Sequence, residues 1–139
     1  MKTLYDYVKE YEEKTGEEFQ TPQGFTLFFV PERGFAQMRI FEGMVVVYQV
    51  CGDLLFWFDF AKVMAASNGC YCVITKCVRH VLPYIRRLRL RIEEREGDFR
   101  YICKDELGNK AIFSWQLAED GSDVYVCTYY LGEVNYGRR

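Results

Sequence analysis

Cys70, Cys72, Cys77 and His80 fall in the pattern C-x-C-x4-C-x2-H, and thiolates with an imidazole are the ligand chemistry of zinc. Structural zinc sites pair ligands two to four residues apart and close with a second, well-spaced pair. Cys70 and Cys72 instead lie two apart in a strand-like run, which puts both on one face. Free cysteine is also among the most buried residue types. The pattern therefore reads as core filling, and no metal is expected. Cys51, Cys103 and Cys127 stand singly in apolar runs and read the same way. A buried thiol is a poor nucleophile, because the thiolate is the reactive form.

His80 is the single histidine, and its ordinary pKa suits acid–base work near neutral pH. Arg79 beside it favours the neutral, proton-accepting form. Glu42, Glu93 and Glu94 are further base candidates. Between 76 and 91 the chain carries Lys76, Arg79, Arg86, Arg87, Arg89 and Arg91 and no acid. Such a run reads first as a solvated helix face, with Arg79 and Arg86 as candidate anion ligands. A net charge of −2 and the absence of a recognisable reader motif count against nucleic acid as the partner.

These side chains need a scaffold, and the chain of 139 residues suits one domain with its core over about 3–131 and a polar tail at 132–139. The acidic first twenty residues do not resemble a signal peptide, and the longest apolar run, near 54–58, is too short for a membrane span. A cytoplasmic protein with reduced cysteines is expected. Thr3 and Asp6 form a capping-box start for a helix over 3–15, stopped at Gly16. Strand-like runs follow at 25–30, 35–41 and 44–50, joined by short turns, so an antiparallel meander is expected. From 54 to 67 the sequence is apolar almost all round, which predicts a helix packed on several sides. With 44–50 before it and 70–75 after it, this makes a βαβ unit and a parallel strand pair. A second helix should begin near Val81, since Pro83 is tolerated only in a first turn. A short strand at 90–94, a hairpin of 99–104 with 110–117, and a last strand at 124–131 complete the reading. The fold class is α/β (α+β), a mixed and mostly antiparallel sheet with a central parallel βαβ unit and helices on both faces.

This order of elements resembles the GNAT superfamily of acyl-CoA N-acyltransferases. Two stretches carry the resemblance. Gln49-Val50-Cys51-Gly52-Asp53-Leu54 is similar to the Q/R-x-x-G-x-G/A pattern whose amides, with the next helix N-terminus, hold the coenzyme A pyrophosphate. Gln49 and Gly52 match it. Leu54 stands where a small residue would be, and Asp53 puts a negative charge and a self-capping carboxylate where phosphates would lie. Tyr84 to Ile92 resembles the fourth GNAT helix, whose tyrosine protonates the departing thiolate; the matching position is Ile85, and Tyr84 is one residue early. Together with the Phe56-Trp57-Phe58-Asp59-Phe60 run, these stretches also look like small GNAT-like proteins of bacteriophages and prophages.

The resemblance implies acetyl-CoA or another acyl-CoA as cofactor, held by Gln49, Gly52, Asp53 and Leu54. It also implies an amine as acceptor, Tyr84 or His80 in catalysis, and a bacterial host cytoplasm. Two other readings stay open. A GNAT-like domain without catalysis would serve as a binding or assembly module, as a homo-oligomer or with a phage or host protein, using aromatic side chains left outside the core. The cationic run could instead contact nucleic acid.

Overall fold

Thr3 opens the first helix through a reciprocal cap. Its hydroxyl accepts from the Asp6 amide, and the Asp6 carboxylate accepts from the Thr3 amide. Helix α1 runs Leu4–Thr15 and stops at Gly16, in the left-handed region at φ 74°. The computed structural model describes residues 1–77, 81–117, 119–121 and 123–132. Arg79, His80 and the polar tail beyond Gly132 lie outside the described residues.

Strands β1 (Thr26–Val30), β2 (Gly34–Phe41) and β3 (Met44–Gly52) form an antiparallel meander. Helix α2 (Leu54–Ser67) crosses to β4 (Cys72–Cys77), which lies parallel to β3. Helix α3 (Val81–Arg87) leads into β5 (Arg91–Glu96), β6 (Arg100–Lys104), β7 (Lys110–Leu117) and β8 (Asp123–Tyr130). Among the described residues these make one sheet of order β1-β2-β3-β4-β8-β7-β6-β5. The architecture is therefore the expected mixed sheet, mostly antiparallel around one parallel βαβ unit. Tyr7 and Tyr11 of α1 pack on Phe35 and Cys51 at one face. Trp57, Ala61 and Ala65 of α2 pack on Ala36, Val45, Val47 and Val73 at the other, where Val81 and Ile85 of α3 join them.

Three details depart from the expectation. The fourth strand begins at Cys72 rather than at 70, because the Cys70 amide is used to close α2, donating to the Ala65 carbonyl at 2.9 Å. Helix α2 is not packed all round: Val63 is 65% exposed, and Phe56, Phe60 and Met64 are only partly covered. The short strand expected at 90–94 is present as β5, but it runs on to Glu96 and pairs with β6 in a further hairpin at the far edge. Strand β5 is exposed along its whole length and carries Glu93, Glu94, Arg95 and Glu96, the charge that keeps an edge strand from recruiting another.

An irregularity between β2 and β3 decides which side chains reach α2. Ala36 pairs with Val50 and Met38 with Val47, so Gln37 faces both Tyr48 and Gln49. This bulge reverses the facing of β3, so that Val47 and Val50 both look toward α2 while Cys51 looks toward α1.

Candidate functional site

Strands β3 and β4 pair over 44–47 with 72–75 and then part. Past that point β3 stays on β2, with Gly34 opposite Gly52. Strand β4 stays on β8, with Cys77 opposite Tyr125. A wedge opens in the middle of the sheet, and two cavities that share Tyr11, Thr15, Val50, Leu54 and Tyr84 occupy it. The outer one, about 380 Å³, lies at the end of β3 against Lys14, Cys51, Gly52, Pro83 and Arg87. The inner one, about 130 Å³, is walled by Val47, Trp57, Phe58, Ala61, Leu88, Cys127 and Tyr129, with Glu17, Thr75 and Lys76 also on its lining. Protein interiors hold few voids larger than a water. The divergence of two strands builds this space into the fold.

The polar groups around it are held in place. Glu17 follows the Gly16 cap, and its Oε1 accepts from the Tyr11 hydroxyl at 2.8 Å and from Gln49 Nε2 at 3.4 Å. Burial first, then the Glu17 hydrogen bond, raises the Tyr11 pKa above its ordinary value. Lys14 is paired with Glu10 at 3.1 Å, and Lys2 and Lys14 together hold the Glu10 carboxyl down at about 2. Arg87 makes no ion pair among the described residues. Burial pushes the Cys51 thiol up to about 11, so it stays protonated at neutral pH.

The residues singled out from sequence separate into two groups. Tyr84 borders both cavities and Leu54 does too, as an apolar wall. Ile85, the position that the resemblance aligns with the tyrosine, is buried in the core instead. Gly52 borders the outer cavity, but its backbone has a different duty. At φ 113° it faces Gly34, and a side chain there would run into the Arg33 carbonyl. The Asp53 carboxylate caps α2, accepting from the Phe56 amide at 3.1 Å, and Arg33 offsets its charge. The Gln49 side chain is fully committed on the α1 face. It accepts from the Gln20 amide and from Gln37 Nε2, and donates to the Glu18 carbonyl and to Glu17. Arg86 points away from the wedge, onto a separate open cleft with Phe99 and Trp115. Cys70, Cys72 and Cys77 are buried, and no group of three or more metal-ligating side chains occurs among the described residues. Of the acids named as bases, Glu42, Glu93 and Glu94 line neither cavity.

Glu17, Tyr11 and Lys14 were not singled out as site residues from the sequence, and Arg87 stood out only as one member of the cationic run at 76–91. Local pattern offers no handle on the first three, since they belong to α1 or its exit and meet β3 only through the tertiary fold. Compared with protein-family models, curated proteins and solved structures, the chain matches none. No helix among the described residues is long and apolar enough to cross a membrane.

Proposed function

We propose that the wedge between β3 and β4 binds an acyl-CoA and that the chain is an N-acyltransferase acting on an amine. The observation that carries this reading is the parting of the parallel pair around a continuous cavity. That cavity grades from a mouth bordered by Lys14 and Arg87 to an interior walled mainly by apolar side chains. An anionic head on a long, slender, uncharged arm that ends in an acyl group has the matching distribution of charge and width.

The fit at the mouth differs from the pattern that the sequence resembles. Asp53 and Arg33 use part of the α2 N-terminus between them, so Arg87 and Lys14 would hold the phosphates. Val50, Leu54 and Tyr84 would hold the arm. The cofactor supplies an activated acyl carbon. The chain supplies proton transfers and alignment. An amine must lose a proton to become or remain a nucleophile through the reaction, and Glu17, fixed by Tyr11 and Gln49 on the lining of the inner cavity, accepts it. Tyr84 bears a hydroxyl at the junction of the two cavities and returns a proton to the departing sulfur. The bulge at 48–49 leaves backbone outside the regular ladder beside Val47 and Val50, where an amide can polarise a carbonyl.

The deciding measurement is the melting temperature with coenzyme A and acetyl-CoA. A ligand specific for the folded state must raise it, and Arg87→Ala should reduce the rise. No shift at millimolar ligand ends this reading. A second reading, a binding module without catalysis, draws on the sheet face opposite α2 and α3. There Ile74, Ile102, Ile112 and Val126 are only partly buried. Sedimentation of the purified chain as a dimer at micromolar concentration would favour it.

A further inference from the structure

We infer that the inner cavity is an acyl-chain chamber and that the thioester carried has an acyl chain of about four to six carbons rather than acetyl. This rests on the reading of the wedge as an acyl-CoA site and adds the class of acyl group.

The size of the chamber is the first argument. Its volume of about 130 Å³ approaches that of the engineered apolar cavity of about 150 Å³ that takes up benzene, a six-carbon ligand. The two carbons of an acetyl group would leave most of it empty. Its position is the second argument. The chamber lies beyond Tyr84 and Leu54, the residues it shares with the outer cavity, so a chain threaded past the mouth continues into it. Its walls are the third. Trp57, Ala61, Cys127 and Tyr129 are each at most 2% exposed, and Leu88 is 7% exposed, so this end of the chamber is core surface facing a space, while the exposed Glu17 and Lys76 lie on its other side. The Tyr129 hydroxyl is turned to Asp105 and Asn109, at 2.5 and 2.8 Å, and the Trp57 N–H donates to the Arg33 carbonyl at 2.8 Å. Both aromatic residues thus have their polar atoms satisfied elsewhere, leaving ring surface for the chamber. Thiols at Cys77 and Cys127 are kept protonated by burial, so this end bears no charge to repel an alkyl chain.

Ala61 is the smallest of these walls and gives the test. Calorimetric titrations would compare coenzyme A, acetyl-CoA, butyryl-CoA, hexanoyl-CoA and decanoyl-CoA on the natural chain and on Ala61→Leu. Each methylene moved from water into an apolar site strengthens binding several-fold. Hexanoyl-CoA should therefore bind at least about ten-fold tighter than acetyl-CoA to the natural chain, with no further gain at decanoyl. Ala61→Leu should remove that preference and leave coenzyme A affinity unchanged. It should also hold or raise the melting temperature, because the new methylenes fill existing space. If acetyl-CoA binds as tightly as hexanoyl-CoA, the chamber is not used and this inference falls while the acyl-CoA reading stands. A lower melting temperature in Ala61→Leu, the mark of an overpacked core, also overturns it. Failure of every thioester and of coenzyme A itself overturns the reading of the wedge, and the inference with it.

Discussion

Arg33 Nη1 donates to Asp53 Oδ2 at 2.5 Å, joining the start of β2 to the cap of α2 across twenty residues of sequence. The link is reinforced by the backbone, since the Arg33 carbonyl accepts from the Asp53 amide at 2.9 Å and from the Trp57 indole at 2.8 Å. The corner where β3 becomes α2 is thus fixed from outside by a single residue of the preceding turn.

Replacing Asp53 by alanine should cost about 1 kcal/mol, the usual value of a lost N-cap. The Phe56 amide, then Arg33, holds the Asp53 carboxyl below its ordinary pKa. A depressed folded pKa gives stability that is present above the unfolded value and is lost as pH falls through the folded one. Urea denaturation of both proteins should therefore show a gap at pH 7 that closes on acidification. A gap that persists once the carboxylate is protonated would assign the effect to something other than its charge.

Gly52→Ala should be far more harmful than Gly69→Ala, although both positions have positive φ. A methyl group at 69 meets open space and carries only the left-handed penalty of roughly 1 kcal/mol. At 52 it collides with Arg33 and Gly34 backbone, and a strained backbone adds roughly 1–3 kcal/mol to the cost of the clash. Thermal melts would check this. Equal losses would mean that the β2–β3 approach at Gly34 and Gly52 is looser than described.

On the acyltransferase reading, Glu17→Gln and Tyr84→Phe should each leave the melting temperature within a few degrees of the natural chain and lower kcat with little change in KM for the acyl-CoA. Ile85→Ala, by contrast, should lose roughly 2–5 kcal/mol of stability. Should Tyr84→Phe turn over as fast as the natural chain, its hydroxyl has no part in the reaction.

All six cysteines are free and buried, and burial holds the thiols of Cys77 and Cys103 up at about 12 and 11. Alkylation by iodoacetamide at pH 7.5 should therefore be slow in the native protein and fast in urea. Mass spectrometry would count the adducts. Rapid native labelling at Cys51, the one thiol on the outer cavity, would show that the mouth opens wider than the structure describes.

The scaffold was largely legible in the sequence because it is written in local terms. The cap at Thr3, the stop at Gly16 and the change of period at 54 each concern a few neighbouring residues, and each lies where expected. The site was only half legible. Tyr84 stood out by type, and it borders the wedge even though the family pattern points to Ile85. Gly52 stood out by motif, yet its backbone conformation answers to Gly34, eighteen residues earlier. Gln49 matched the same motif and is spent on Gln20, Glu18 and Gln37. What the sequence withheld was the bulge at 48–49, since one extra residue in β3 reverses which side chains face the wedge and has no signature in composition.

The four-residue pairing of β3 with β4 also has a mechanical consequence. It makes the sheet two leaves on one short spine, β1 to β3 on one side and β4 to β8 on the other, with α2 laid across the back. Compliance is concentrated along that line, because every other neighbouring pair is laddered over at least five residues. An occupant of the wedge touches α1 and β3 of one leaf and α3 and β8 of the other, so it acts as a clasp on the binding. Amide exchange along 44–47 and 72–75 should slow when the clasp is in place, including at Met44 and Cys72, which line neither cavity.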